Sequence, residues 1–150
     1  MSRLEAIWLK RARRGVMDAV DEATAVEDKG LEDDANFGRG RQITVIEKEV
    51  FDRIRADLPD VDPSMRRANL MVSGVRLADT RGQVLTLGEV RILIRGETRP
   101  CNRMDEQVQG LRDALDAGWG GGVHGSVLGG GRITVGDPVS IDARPDRPDG

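Results

Sequence analysis

The chain contains only one cysteine, Cys101, among its 150 residues. A single sulfur excludes an intramolecular disulfide framework and a metal cage built from thiolates alone, because each needs several cysteines. The net charge of −3 argues against a general nucleic-acid-binding protein, which usually carries a basic excess. No apolar stretch approaches the roughly 20 residues that span a bilayer, and the first residues lack the apolar segment of a secretory signal. These absences predict a soluble, cytoplasmic, single-domain protein with no nucleic-acid or membrane partner.

Lysine is also scarce, occurring only at Lys10, Lys29 and Lys48, so 20 of the 23 basic residues are arginine. Genomic base composition explains most of such a bias. Recognition of planar or multidentate anions would also favour it, because a guanidinium group binds these better than an ammonium group does. Composition alone leaves both explanations open.

The hydrophobic pattern predicts a mainly β protein. Apolar and β-branched segments predict strands at residues 4–9, 41–46, 84–87 and 90–94, and two closing strands near 133–135 and 139–141. Helical spacing predicts two amphipathic helices, one from about Glu47 to before Pro59 and one over residues 104–115. The polar stretch 27–34 is predicted to be a loop. Short strands with glycine-rich turns indicate a closed or partly closed β-barrel with a few appended short helices. This domain covers residues 1–142, and residues 143–150 are expected to be disordered.

Glycines are concentrated between residues 118 and 131. They do not form a phosphate-binding loop, because no Lys-Ser/Thr pair follows them and they precede strands rather than a helix. Backbone bending at a barrel corner, or close approach of the backbone to a ligand, is the expected role.

The surroundings of Cys101 favour chemical reactivity. It lies in the segment Arg99-Pro100-Cys101-Asn102-Arg103, between a predicted strand and a predicted helix. Helix N-terminal N–H groups and flanking arginines both stabilise a thiolate. Such a thiolate could be a nucleophile, a persulfide carrier or a soft metal ligand. The alternative is a small buried side chain, which is equally common for a free cysteine.

Other polar residues offer weaker signals. His124 is the only histidine, and a lone histidine is more often a packing or surface residue than a catalyst. The acidic run over residues 27–34 lacks the spacing of a calcium loop, so a solvated loop is the default interpretation. Arginines could line an anion site, with Asn69 adding an amide; the candidates are Arg39, Arg41, Arg66 and Arg67. With Cys101 they suggest a thiolate beside a phosphate-bearing ligand.

The order of these landmarks resembles that of MOSC domains. The segments that carry the resemblance are Gly30-Leu31-Glu32-Asp33-Asp34, Arg41-Gln42-Ile43-Thr44, Arg67-Ala68-Asn69-Leu70-Met71-Val72-Ser73-Gly74, Leu85-Thr86-Leu87-Gly88, Arg99-Pro100-Cys101, Gly120-Gly121-Gly122-Val123 and Gly136-Asp137-Pro138-Val139. The resemblance extends over residues 4–141. It implies a β-rich, barrel-like fold and a role with the molybdenum cofactor, a pterin that carries a phosphate and a dithiolene-bound metal.

The resemblance also implies functional positions. Cys101 matches the family cysteine, which carries a persulfide in some relatives and ligates molybdenum in others. The family's basic and amide positions match Arg41, Arg67 and Asn69, and its acidic position matches Asp34; Arg99, beside the cysteine, is a further candidate. Many relatives have glycine where this chain has Asp33. If that position needs a positive φ, aspartate accepts it at modest cost.

Three functions follow from these expectations. The first is a domain that binds molybdopterin or carries sulfur on Cys101, exchanging it with a donor or acceptor protein. The second is a molybdenum-dependent reductase of N-hydroxylated compounds, which would need a partner electron-donor reductase because the chain has no dinucleotide fingerprint and no iron–sulfur cysteines. The third is a binding module that retains the fold without the chemistry.

Overall fold

The computed structural model describes residues 2–10, 17–38, 42–63, 67–98 and 122–142. In these ranges the chain forms eleven strands and one helix. In chain order they are β1 (Arg3–Lys10), β2 (Met17–Val20), β3 (Glu22–Val26), β4 (Gly30–Leu31), β5 (Ile43–Glu47), α1 (Lys48–Asp57), β6 (Leu70–Ser73), β7 (Val84–Leu87), β8 (Val90–Glu97), β9 (Val123–Gly129), β10 (Gly131–Thr134) and β11 (Val139–Asp142). The predicted mainly β class is therefore confirmed.

The strands form two sheets. Eight strands follow the order β11-β7-β8-β9-β5-β6-β1-β2, and three follow the order β10-β3-β4. All pairings are antiparallel except that of β5 with β6, which α1 connects. A single bridge between Arg3 and Pro138 links β1 to the segment before β11. The larger sheet is not closed into a barrel in the part of the chain described, so the predicted barrel is not confirmed.

Two hydrophobic clusters stabilise this arrangement. The larger cluster takes buried side chains from both sheets, including Ala25 and Ile133 of the smaller sheet and Ile92 and Ile94 of β8. The smaller cluster lies beneath α1, where Val50, Phe51 and Ile54 pack with Trp8 and Ile46. Alternate residues of β5 therefore face different clusters, Ile43 and Val45 in one and Ile46 in the other.

The predicted helix and several strands agree with the structure. The helix from Glu47 to before Pro59 is α1, and the predicted strands at 84–87 and 90–94 are β7 and β8, which pair as a hairpin through Gly88. The predicted loop over 27–34 is interrupted by the short strand β4. Strand β9 was not expected, because its glycines disrupt the alternation that predicts strands. The second helix, the segment with Cys101 and the tail after residue 142 lie outside the described residues.

Close backbone contact explains two glycines of the glycine-rich segment. A Cβ atom at Gly122 would lie 2.1 Å from the carbonyl oxygen of Val45, and one at Gly125 would lie 2.5 Å from that of Leu93. At these two glycines the close approach is to the backbone of a neighbouring strand, whereas the sequence predicted bending at a barrel corner or approach to a ligand. No helix in the described ranges is both long and apolar enough to cross a membrane.

Candidate functional site

A buried carboxylate organises the loop between β4 and β5. Asp34 is 5% exposed, whereas the other acidic side chains of this run are exposed. Its Oδ1 accepts a hydrogen bond from the backbone N–H of Lys10 at 2.7 Å, and its Oδ2 accepts one from the backbone N–H of Asn36 at 3.0 Å. The second bond is an Asx turn, in which an aspartate caps the backbone two residues later. The hydrogen bond to Lys10 thus holds the loop against the end of β1. Asp34 therefore has a structural role and is not a solvated acidic residue.

Asn69 completes the same network from the start of β6. This side chain is 2% exposed, and its Nδ2 donates to Asp34 Oδ1 at 3.0 Å and to the carbonyl oxygen of Trp8 at 3.3 Å. Its Oδ1 accepts the backbone N–H of Thr44 at 3.1 Å. Every polar atom of this amide is therefore hydrogen-bonded, which is what a buried amide requires. We call this pair of side chains the Asp34–Asn69 node; it joins β1, β5, β6 and the 32–38 loop.

Backbone conformations beside the node are unusual. Asp33 has φ of +70° and Arg67 has φ of +60°, in the left-handed region that non-glycine residues seldom adopt. The positive φ considered for Asp33 in the sequence analysis is therefore present. Left-handed residues cost free energy and persist where the surrounding contacts hold them. Asp34 directly follows Asp33, and Asn69 lies two residues after Arg67. The hydrogen bonds of the node therefore restrain the backbone next to both left-handed residues.

Positive charge is concentrated beside the node. The pKa of the Lys10 ammonium lies below its ordinary value, first because the side chain is partly buried and second because the Arg67 guanidinium is near. Asp34 acts in the opposite direction but does not outweigh these two effects. Two cations held together in this way favour a bound anion, which would relieve their repulsion.

A row of polar positions continues across the sheet from the node. Thr44 of β5 lies opposite His124 of β9, and His124 lies opposite Gly96 of β8. Residues directly opposite in antiparallel pairs present their side chains on the same face. Thr44 Oγ1 also accepts the backbone N–H of Asn69 at 3.1 Å, which connects the row to the node. The face therefore carries the polar side chains Thr44 on β5 and His124 on β9, and Cys101 follows β8 by four residues in the sequence.

The structure brings together some of the predicted site residues. Asp34 and Asn69 are in direct contact, and Arg67 is close enough to Lys10 to lower its pKa. Lys10 was not selected from the sequence; its place in the basic segment 10–14 was the signal available. The remaining predicted site residues, Cys101, Arg41 and Arg99, lie outside the described residues, so their membership of this site stays a prediction.

The described residues also form a cavity of about 460 Å³. It lies between the first turns of α1 and the segment after β6, and no predicted site residue lines it. Its charged lining residues are Glu47, Glu49, Arg53 and Arg76. Among the residues that the structure places, no three His, Cys, Asp or Glu side chains are grouped closely enough to hold a metal ion. The Asp34–Asn69 node with its two cations is accordingly the candidate site.

Most of the chain matches the model of a known protein family. The family model described as the MOSC domain matches residues 32–140. This range contains Asp34, Arg67, Asn69 and Cys101, and it ends within β11. No sequence among curated proteins matches the chain.

Solved structures share the fold. The YuaD protein from Bacillus subtilis aligns with a TM-score of 0.81 at 21% identity, covering 96% of this chain and 97% of that one. YiiM from Geobacillus stearothermophilus gives a TM-score of 0.74 at 16% identity, covering 96% and 76%. YiiM from Escherichia coli gives 0.69 at 19% identity, covering 95% and 70%. At these identities the likeness establishes the fold.

Proposed function

The chain belongs to the MOSC domain family, and from this premise we propose that it binds the molybdenum cofactor and presents the sulfur of Cys101 to it. The observation that carries the proposal is the pair of cations, Lys10 and Arg67, held beside the buried Asp34–Asn69 node. The family match covers the node, Arg67 and Cys101 in one continuous range. When bound, the cofactor supplies a molybdenum centre that accepts sulfur ligands.

The charges of the site fit the phosphate of the cofactor. A phosphate monoester carries close to two negative charges at neutral pH. Lys10 and Arg67 offer it an ammonium and a guanidinium group, and the pKa of Lys10 is lowered first by burial of its side chain and second by the Arg67 guanidinium. In this proposal Arg41 and Arg99 add further guanidinium groups, which suit the several oxygen atoms of phosphate.

Asp34 and Asn69 have a positioning role in this proposal. Their polar atoms are engaged with the backbone and with each other, so in this proposal they position the site without having to contact the ligand themselves. They hold the end of β1, which carries Lys10, against the start of β6, which follows Arg67. In this proposal Asp34 and Asn69 therefore affect cofactor binding indirectly, by positioning Lys10 and Arg67.

Cys101 has the nucleophilic role. The flanking Arg99 and Arg103 favour its thiolate form, which attacks sulfur more readily than the thiol does. A thiolate at Cys101 takes the outer sulfur of a donor persulfide, forming a new S–S bond while the donor leaves as a thiolate. The donor is a sulfur-carrying protein or a small persulfide. In this proposal the sulfur on Cys101 is then passed to the cofactor.

The sulfur-carrying step has a direct test. We expect the chain, incubated with cysteine persulfide and then alkylated, to gain the mass of one sulfur atom on the peptide that contains Cys101. Since the chain has no other cysteine, the variant Cys101→Ser should gain none. Tryptic mass spectrometry makes the measurement, and Ser126→Ala is the control substitution because Ser126 lies in β9, away from the cysteine segment in sequence. Free alkylation of Cys101 without any gain of sulfur would contradict the proposed role.

A further inference from the structure

A carboxylate oxygen beside helix α1 has no hydrogen-bond partner in the described part of the chain. This atom, Oε1 of Glu49, is shielded from solvent by the folded chain. The other oxygen of the same group, Oε2, accepts the backbone N–H of Gly74 at 2.7 Å. A buried carboxylate oxygen without a donor costs free energy, because it loses its hydration and gains no hydrogen bond in return. Glu49 therefore has an unused acceptor, which a ligand with a donor group would satisfy.

Glu49 lines the cavity of about 460 Å³ described above, which we call the α1 cavity. One wall is the start of α1, and the other is the segment 74–78 that follows β6. Two glutamates hold these walls together, because Oε1 of Glu47 also accepts the backbone N–H of Leu77, at 2.5 Å. Small-ligand sites in proteins commonly have volumes of about 300–1,000 Å³. The α1 cavity is thus a preformed space of suitable size, with walls fixed by hydrogen bonds.

Both signs of charge line the α1 cavity. Its carboxylates belong to Glu47 and Glu49, and its guanidinium groups belong to Arg53 and Arg76. Both arginines are exposed, and neither forms an ion pair with a residue of the described ranges. Arg53 follows Glu49 by four residues, so the two side chains lie on the same face of α1. The apolar side chains of the lining are Val50, Val75 and Ala78.

We propose that the α1 cavity binds a small zwitterion with an apolar side chain, which is the chemistry of a free amino acid such as leucine. The ammonium group donates to Oε1 of Glu49, which a small rotation about the terminal torsion of the glutamate brings to the ligand. The carboxylate accepts hydrogen bonds from the Arg53 and Arg76 guanidinium groups. A lone cation would face two guanidinium groups, and a lone anion would face two carboxylates. The site uses no residue assigned to the cofactor or to sulfur, so it stands independently of the proposed function.

Titration with three related molecules tests the site. L-leucine carries both charges, isoamylamine is the same molecule without the carboxylate, and isocaproate is the same molecule without the ammonium group. Each is titrated into ¹⁵N-labelled full-length chain, and the shifts of the amide signals of residues 47–53 and 74–78 give the dissociation constant. We expect leucine to bind about tenfold more tightly than either of the other two, or better.

Two substitutions test the groups that hold the ligand. Glu49→Gln should weaken leucine binding about tenfold, because glutamine keeps an acceptor for the Gly74 N–H but offers the ammonium group no negative charge. Arg53→Gln should weaken it about threefold, since Arg76 remains. Arg55→Gln is the matched control, because Arg55 is an exposed arginine of the same helix that does not line the cavity.

The outcomes that overturn the proposal are distinct. No binding of leucine at millimolar concentration overturns it, and so does equal binding of leucine and either single-charge molecule. Leucine binding left unchanged by Arg53→Gln, or by Glu49→Gln, also overturns it. Arg53 is exposed, so Arg53→Gln is expected to fold even if Glu49→Gln does not. Cys101→Ser should bind leucine like the unmodified chain, so failure of this proposal is distinguishable from failure of the sulfur chemistry.

Discussion

Replacement of Asn69 by leucine is expected to lower the free energy of unfolding by about 3 kcal/mol. Leucine is close to asparagine in size but removes the donor to Asp34 Oδ1 and to the Trp8 carbonyl oxygen, and the acceptor for the Thr44 N–H. These partners are shielded from water, so each lost hydrogen bond leaves a polar group without compensation. The carboxylate of Asp34 is the most costly of them, because it is charged and only 5% exposed.

Urea denaturation followed by circular dichroism measures this loss. Asn36→Ala is the matched control, because only the backbone N–H of Asn36 takes part in the network and an alanine retains it. We expect that control to change the free energy of unfolding by less than about 0.5 kcal/mol. A loss below about 1 kcal/mol for Asn69→Leu would show that the Asp34–Asn69 node does not hold the strands together.

Replacement of Gly122 by alanine is expected to have a still larger effect, a loss of about 4 kcal/mol or failure to fold. The added Cβ would lie 2.1 Å from the carbonyl oxygen of Val45 and 2.9 Å from Cγ2 of Ile46, both in β5. The backbone of Gly122 has φ of +91°, which alanine adopts only under strain. Relief of the clash must move β9 away from β5 in the middle of the larger sheet.

The far end of β9 provides the control for this substitution. Gly122 immediately precedes β9, whereas Gly129 is its last residue, and a Cβ there would meet nothing within 4 Å. We therefore expect Gly129→Ala to retain the thermal midpoint of the unmodified chain within a few degrees, which corresponds to about 1 kcal/mol for a domain of this size. Similar midpoints for Gly122→Ala and Gly129→Ala would mean that β9 does not pack closely against β5.

Local periodicity was enough to predict much of the fold. Helix α1 was predictable because Val50, Phe51 and Ile54 recur on one face, and the β7–β8 hairpin was predictable because both strands alternate around Gly88. Strand β9 was not predictable, because four of its seven residues are glycine, serine or histidine, and its pairing with β5 and β8 is set by distant segments. Closure of the sheet is likewise a property of long-range pairing that no local pattern encodes.

The candidate site was predictable only in part, for a similar reason. Asp34 and Asn69 were selected through resemblance to a family, whereas the residues alone suggested that Asp34 lies in a solvated acidic loop. The hydrogen bond between them joins residues 35 positions apart, and the bond from Lys10 to Asp34 spans 24 positions. Burial of one carboxylate among exposed ones depends on those distant partners.

The molybdenum and pterin content of the purified chain tests the central claim most directly. The chain and its Cys101→Ser variant are produced in a host that makes the molybdenum cofactor and purified anaerobically. Molybdenum is then measured by mass spectrometry, and pterin by fluorescence after oxidation. The account predicts molybdenum and pterin together in the unmodified chain, and a molybdenum content at least about tenfold lower in Cys101→Ser. Absence of both from the unmodified chain, or equal molybdenum in the two proteins, would contradict it.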